Sequence, residues 1–178
     1  GFDGETNERT FEPVLEMIRG ARESIYVMSP YVTYPFFGAF RRAVRNGARV
    51  SLVSPERNNW RLLKEYGIWE CGRSGIDLYL YQGRMTHLKA MLIDDRRLVV
   101  GSSNFDFLSW HYMQEVVEVI SDPDTIQQFK KKVLFPDLEQ SVLFEGAVSE
   151  ITGRCHHLSL KGLNRLYASL GWLSVIGR

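Results

Sequence analysis

The chain has 178 residues, 44% apolar and 24% charged, which suits one globular domain spanning 1–178 and excludes disordered and collagen-like classes. Its formal net charge of +1 lacks the strongly basic balance that would by itself point to a nucleic-acid partner. No apolar run reaches about eighteen residues and no charged-then-apolar leader opens the chain, so neither a membrane span nor a signal is expected.

The apolar residues Val14, Met17, Ile18 and Ala21 recur at helical spacing and predict an amphipathic helix from Thr10 to Arg22, with Thr10 as N-cap and Pro13 in the first turn. Ser24–Met28 reads as a strand ended by Ser29-Pro30, Pro35–Asn46 as a helix stopped by Gly47, and Arg49–Val53 as the next strand. This βαβ order implies parallel pairing and helices over the sheet. A helix from Asn58 to Tyr66 is expected to stop at Gly67, with Cys71–Gly75 as turn and Asp77–Tyr81 as strand. His87–Ile93 and Arg97–Val100 predict an antiparallel hairpin about Asp94-Asp95-Arg96, followed by a strand at Glu115–Ile120 and a helix at Pro123–Val133. The fold class expected is α/β, with a mixed, largely parallel central sheet flanked by helices on both faces. Leu160, Leu163, Leu166, Tyr167, Leu170 and Trp172-Leu173 outline an amphipathic C-terminal helix, expected to pack on the sheet rather than face a membrane.

Cys71 and Cys155 fit no disulfide framework and read as buried thiols. Cys155-His156-His157 are adjacent in sequence and cannot readily converge on one metal ion.

Chemistry concentrates in Thr86–Asp106. On a strand His87 and Lys89 share one face while Leu88, Ala90 and Leu92 take the other. The following strand ends in Gly101-Ser102-Ser103-Asn104, where small residues permit close backbone approach and Ser102 and Asn104 share a parity. A lysine charge with serine and asparagine donors suits a tetrahedral anion whose oxygens gain charge during displacement. Histidine can act as nucleophile if a carboxylate or carbonyl holds its second nitrogen, and Asp94, Asp106 and Glu115 are the carboxylates at hand. Nothing in this set requires a metal or cofactor.

The pattern His87-x-Lys89-x4-Asp94, followed after six residues by Gly101-Ser102-x-Asn104, resembles the signature of the phospholipase D superfamily. Ser29-Pro30-Tyr31 and Asn46–Val50 are similar to the C-terminal halves of bacterial cardiolipin synthases. The resemblance implies a phosphohistidine on His87, a phosphate held by Lys89 and Asn104, beside which Ser102 is the further donor read from the residues, and Glu115 as the carboxylate that orients the imidazole. The sequence departs from many relatives at Phe107-Leu108-Ser109, where Arg-Ser is usual, and at Met113, where asparagine is common.

The resemblance also implies two motifs facing each other, and this sequence holds one. The second is expected from a homodimer partner or from an N-terminal half preceding Gly1, the latter in keeping with the absent initiator methionine. A phospholipid is the expected substrate, with hydrolysis or phosphatidyl transfer as the reaction and peripheral membrane contact as a corollary. A homodimeric nuclease and a catalytically silent dimerisation or lipid-binding half are the alternatives. Tyr31, Tyr34, Phe36 and Phe37 would border an acyl entrance or pack in the core, and Arg41, Arg42 and Arg45 would meet headgroups or form a solvated face.

Overall fold

A computed structural model describes residues 4–176. Its frame is a seven-stranded mixed sheet of order β6-β5-β4-β1-β2-β3-β7. The central strands β1 (Ser24–Met28), β2 (Arg49–Pro55) and β3 (Asp77–Tyr81) run parallel, because α2 (Phe36–Arg45) and α3 (Arg61–Ser74) return the chain over the sheet. All of β2 beyond Arg49 is buried, as expected of a strand covered on both faces. Beyond β1 lie β4 (Ala90–Ile93), β5 (Arg97–Gly101) and β6 (Val117–Ile120), each antiparallel to its neighbour. The β4–β5 hairpin turns through Asp94 and Asp95, both at positive φ, which aspartate tolerates better than most residues.

Alternation along the strands divides the core in two. Ile25, Val27, Leu52, Met91 and Val99 face α1 (Gly4–Gly20), α2 and α3, where Phe36, Phe37 and Phe40 are almost fully enclosed. Each such ring contributes about 1.5–3 kcal/mol by leaving water. On the other face Met28, Val53, Ala90, Leu92 and Leu98 meet Ile126 of α5 (Pro123–Phe129) and Leu134. Phe36 and Phe37 are therefore core residues and do not border an entrance, whereas Tyr34 is exposed and Tyr31 half-buried. Of the three arginines on α2, Arg41 turns inward, its Nη1 lying 2.5 Å from the buried carboxylate of Glu70, which also accepts from Tyr66 Oη at 3.1 Å.

Several boundaries differ from expectation for identifiable reasons. Helix α1 begins at Gly4, so Thr10 is not its cap; the added turns are tied down by Asn7, which donates to the Met113 carbonyl at 2.8 Å, and by Glu8 against His111 Nδ1 at 2.7 Å. Helix α3 runs through Gly67 and Gly72 and stops at Gly75, whose φ of 67° forms a left-handed cap. Burial of Ile68, Glu70 and Cys71 outweighs the weak helix propensity of those glycines. The helix after β6 continues from α5 through a π turn, Lys130–Leu134, into α6 (Phe135–Glu139), and the short strand β7 (Ser141–Leu143), absent from the sequence reading, pairs with β3.

The C-terminal helix α7 (Glu150–Ile176) lies on α3 and not on the sheet. Trp69 covers Gly153 so closely that a Cβ there would sit 2.0 Å from the indole, and His157 stacks on Tyr66 with ring centroids 6.0 Å apart. Leu160 is buried, whereas Leu166 is exposed; the side chains of Tyr167, Leu170, Trp172 and Leu173 lie outside the described residues. Cys71 is buried as expected, but Cys155 is exposed, because its helix turns it away from α3.

Candidate active site

Strand register brings the predicted residues to one end of the sheet. Met28 pairs with Ala90, Ala90 with Val100, and Gly101 with Val117. The residues one step beyond those pairs, Ser29, Lys89, Ser102 and Val116, therefore emerge side by side at the carboxyl ends of the parallel strands, where α/β sheets open into clefts.

His87 and Lys89 belong to an irregular segment that enters β4 only at Ala90, three residues later than expected. The face assignment nevertheless holds within the strand, since Met91 and Ile93 lie in one core and Ala90 and Leu92 in the other. Lys89 is buried and His87 exposed. The Lys89 Nζ lies 2.6 Å from His87 Nδ1 and donates to the His87 carbonyl at 2.7 Å. Burial pushes the Lys89 ammonium below the ordinary lysine range, while the carboxylates of Glu115 and Asp106 oppose that shift. The Tyr31 ring stands edge-on to the imidazole, with centroids 6.3 Å apart, and its hydroxyl donates to Asn59 Oδ1. Trp60 also stands edge-on to Tyr31, with centroids 6.3 Å apart, and extends the aromatic rim.

The opposite wall is the loop after β5. A Cβ on Gly101 would lie 2.0 Å from the Val116 carbonyl oxygen, so only glycine allows this approach of β5 to the chain entering β6. Ser102 N–H donates to that carbonyl at 3.0 Å, and Ser102 Oγ accepts from Val116 N–H at 3.1 Å. The same hydroxyl donates to Glu115 Oε2, and Ser109 Oγ donates to Glu115 Oε1 at 3.2 Å. Asp106 caps α4 (Phe107–His111) by accepting from Ser109 N–H at 2.8 Å. Burial pushes the Asp106 carboxyl up, against the Ser109 and Leu108 hydrogen bonds that pull it down. Asn104 turns its amide inward, and the amide oxygen is buried without a hydrogen-bond partner among the described residues. The Val32–Phe105 bridge and the Phe107 N–H bond to Thr33 Oγ1 at 2.8 Å join this loop to the one carrying Tyr31.

Two predicted residues sit differently. Asp94 lies at the far end of β4 from Lys89, about 17 Å away for five residues of extended chain. It accepts from the N–H groups of Glu23 at 2.8 Å, Ser24 at 3.0 Å and Arg22 at 3.0 Å. Partial burial raises its pKa, but those three donors and Arg96 prevail and hold it below the usual aspartate range. Glu115 makes its hydrogen bonds to Ser102 and Ser109, with none to His87. Ser109, fully enclosed between two carboxylates, was missed; its place three residues after Asp106 is the spacing of a helix cap. Among the described residues no group of three or more His, Cys, Asp and Glu side chains is arranged to hold a metal ion.

The family model described as cardiolipin synthase, PLD-like domain, matches residues 14–134. Cardiolipin synthase 1 of Staphylococcus epidermidis is 32% identical over 135 residues, covering 72% of this chain and 27% of that protein. The chain thus spans between a quarter and a third of the length of the curated relatives it matches. Nuc, a phospholipase D family member from Salmonella typhimurium, shares the fold with a TM-score of 0.67 at 23% identity, over 76% of this chain and 90% of that one. Phosphatidylserine synthase of Haemophilus influenzae gives 0.64 at 15% identity, over 87% and 42% respectively. The matched span takes in His87, Lys89, the Gly101–Asn104 loop and Glu115, and the chain belongs to the phospholipase D family, in the division described by the cardiolipin synthase PLD-like domain.

Proposed function

We propose that this chain supplies one half of a phosphodiester-transfer centre acting on phospholipid headgroups through a phosphohistidine. The observation that carries the reading is the His87–Lys89 contact of 2.6 Å beside the Gly101–Asn104 loop. In this contact the ammonium donates to Nδ1, which leaves the ring proton on Nε2. Entry of a phosphate draws the lysine to the anion and frees Nδ1 to take a proton from solvent while Nε2 releases its own to solvent, so that the tautomer shifts and Nε2 holds the lone pair for attack. The Nε2–P bond forms as the P–O bond to the leaving alcohol breaks, and Lys89, Ser102 and Asn104 stabilise the non-bridging oxygens. The leaving alkoxide takes its proton from a histidine of the second half, contributed by a partner copy or by further chain. That histidine then removes the proton of the incoming alcohol or water, whose oxygen displaces His87 from phosphorus. Glu115 stabilises the imidazolium once released from Ser102, and Asp94 acts as a positioning residue.

Acid quenching during turnover of a labelled phospholipid is expected to trap phosphoryl label on His87. His87→Ala should lower activity at least about 10³-fold. Label on another residue, or a fully active His87→Ala protein, would refute this route. Faster cleavage of single-stranded DNA than of phospholipid would move the substrate to nucleic acid while keeping the chemistry.

A further inference from the structure

Helix α7 carries two apolar faces. The inner one is fixed on α3 by Gly153 under Trp69, His157 on Tyr66, buried Leu160 and the His156 Nε2 contact with Glu65 at 3.3 Å. At 3.6 residues per turn, Ile151, Leu158 and Leu166 fall on the opposite side. They are 78%, 66% and 55% exposed. Exposed Cys155 and Gly162 share that side, so the outer stripe holds no charge. Exposed Arg154, Lys161 and Arg165 run along one flank of it. Arg154 is paired with Glu150, whereas Lys161 and Arg165 make no ion pair among the described residues. From Ile151 to Ile176 the sequence contains no acidic residue.

An apolar stripe flanked by unpaired cations, on a helix already anchored by its other side, has little to gain from water and is repelled by no anion. Its complement is a surface with negative phosphates outside and hydrocarbon beneath. Leucine and isoleucine enter the headgroup boundary while lysine and arginine reach back to the phosphates. No helix among the described residues is long and apolar enough to cross a membrane, so α7 would lie on the surface.

We infer that α7 docks the protein on a lipid bilayer bearing anionic headgroups, through the outer stripe of Ile151, Leu158 and Leu166 and the flanking Lys161 and Arg165. The helix lies outside the span matched by the family domain. Lys161 and Arg165 also line a cleft of about 480 Å³ with Tyr34, Phe107 and Leu160. Tyr34 follows Tyr31 by three residues, at most about 11 Å of chain. Docking by α7 therefore brings an opening close to the rim of His87 to the lipid.

The test is co-sedimentation of the purified chain with phosphatidylglycerol–phosphatidylcholine vesicles and with pure phosphatidylcholine vesicles. Strong binding to the first and weak binding to the second is expected. Combined Lys161→Gln and Arg165→Gln should lower partitioning into anionic vesicles by about 30-fold at low salt. Leu158→Glu should lower it by about 10-fold or more. Since these side chains are exposed, melting temperatures should match the parent's. His87→Ala protein should bind vesicles as the parent does, which separates loss of docking from loss of chemistry. Failure of the parent to sediment with anionic vesicles would overturn the assignment, as would binding indifferent to both variants. A concentration-dependent dimer abolished by Leu158→Glu would also overturn it, by giving the stripe to a second copy.

Discussion

Replacing Asp94 by alanine removes the acceptor of three backbone N–H groups at the start of β1 and leaves alanine at a φ of 50°. The Ser24 N–H is partly buried, and losing its bond to a carboxylate costs about 2 kcal/mol. The exposed N–H groups of Arg22 and Glu23 regain water, at about 0.5 kcal/mol each. Left-handed backbone at alanine adds roughly 1 kcal/mol. The total of about 4 kcal/mol lowers the melting temperature by about 10 °C for a domain of this size. Asp94→Asn keeps an acceptor and tolerates the backbone, so a fall of about 4 °C is expected. The carboxylate has its pKa lowered, so its stabilisation is complete above the unfolded aspartate pKa of about 3.9 and is lost as pH falls through the lower folded value. Differential scanning calorimetry across acid pH, with turnover measured below both melting temperatures, checks the assignment. A variant that melts within about 2 °C of the parent but is inactive would give Asp94 a part in the reaction and refute the positioning role.

Gly101→Ala should destabilise by about 3 kcal/mol and lower turnover, because its Cβ would force β5 from the Val116 carbonyl and displace Glu115. An unchanged melting temperature would contradict the close approach. Lys89 gives a pH prediction: activity that needs the ammonium should fall as pH rises through a pKa below the usual lysine value of about 10.4. Between the folded and unfolded pKa values the unfolded chain binds more protons, so stability should rise with pH there. A kcat/KM profile whose basic limb lies at or above the free-lysine value would count against a buried ammonium.

Local pattern was informative wherever the residues themselves decided the outcome. β3 at Asp77–Tyr81 was read to the residue, and the Asp94–Asp95 hairpin followed from its turn. The α/β class and the sheet-end cluster of His87, Lys89, Ser102 and Asn104 were legible because period-two alternation and a spaced motif are local properties. Distant partners were not legible. Gly67 reads as a stop, but the Arg41–Glu70 pair lies across two helices, and it helps hold α3 intact beyond that glycine. Thr10 reads as a cap, but Glu8 finds His111 more than a hundred residues away. Glu115 is a candidate on sequence alone, but the serines that hold its oxygens come from the loop after β5 and from α4, and Ser109 shows no sign of that contact in its own neighbourhood.

Gly153 sets a phase. A helix lying on a neighbour can rotate about its own axis unless something fixes the angle, and here the missing side chain admits the flat face of Trp69 at one angle. Each residue beyond inherits that choice, so two and three turns later Lys161 and Arg165 stand at the mouth of the cleft beside Tyr34 and Phe107. A methyl group at position 153 would have to move the indole or turn the helix, and a turn would carry both cations away from that mouth together. The absence of one carbon atom is thus transmitted along the helix as an orientation.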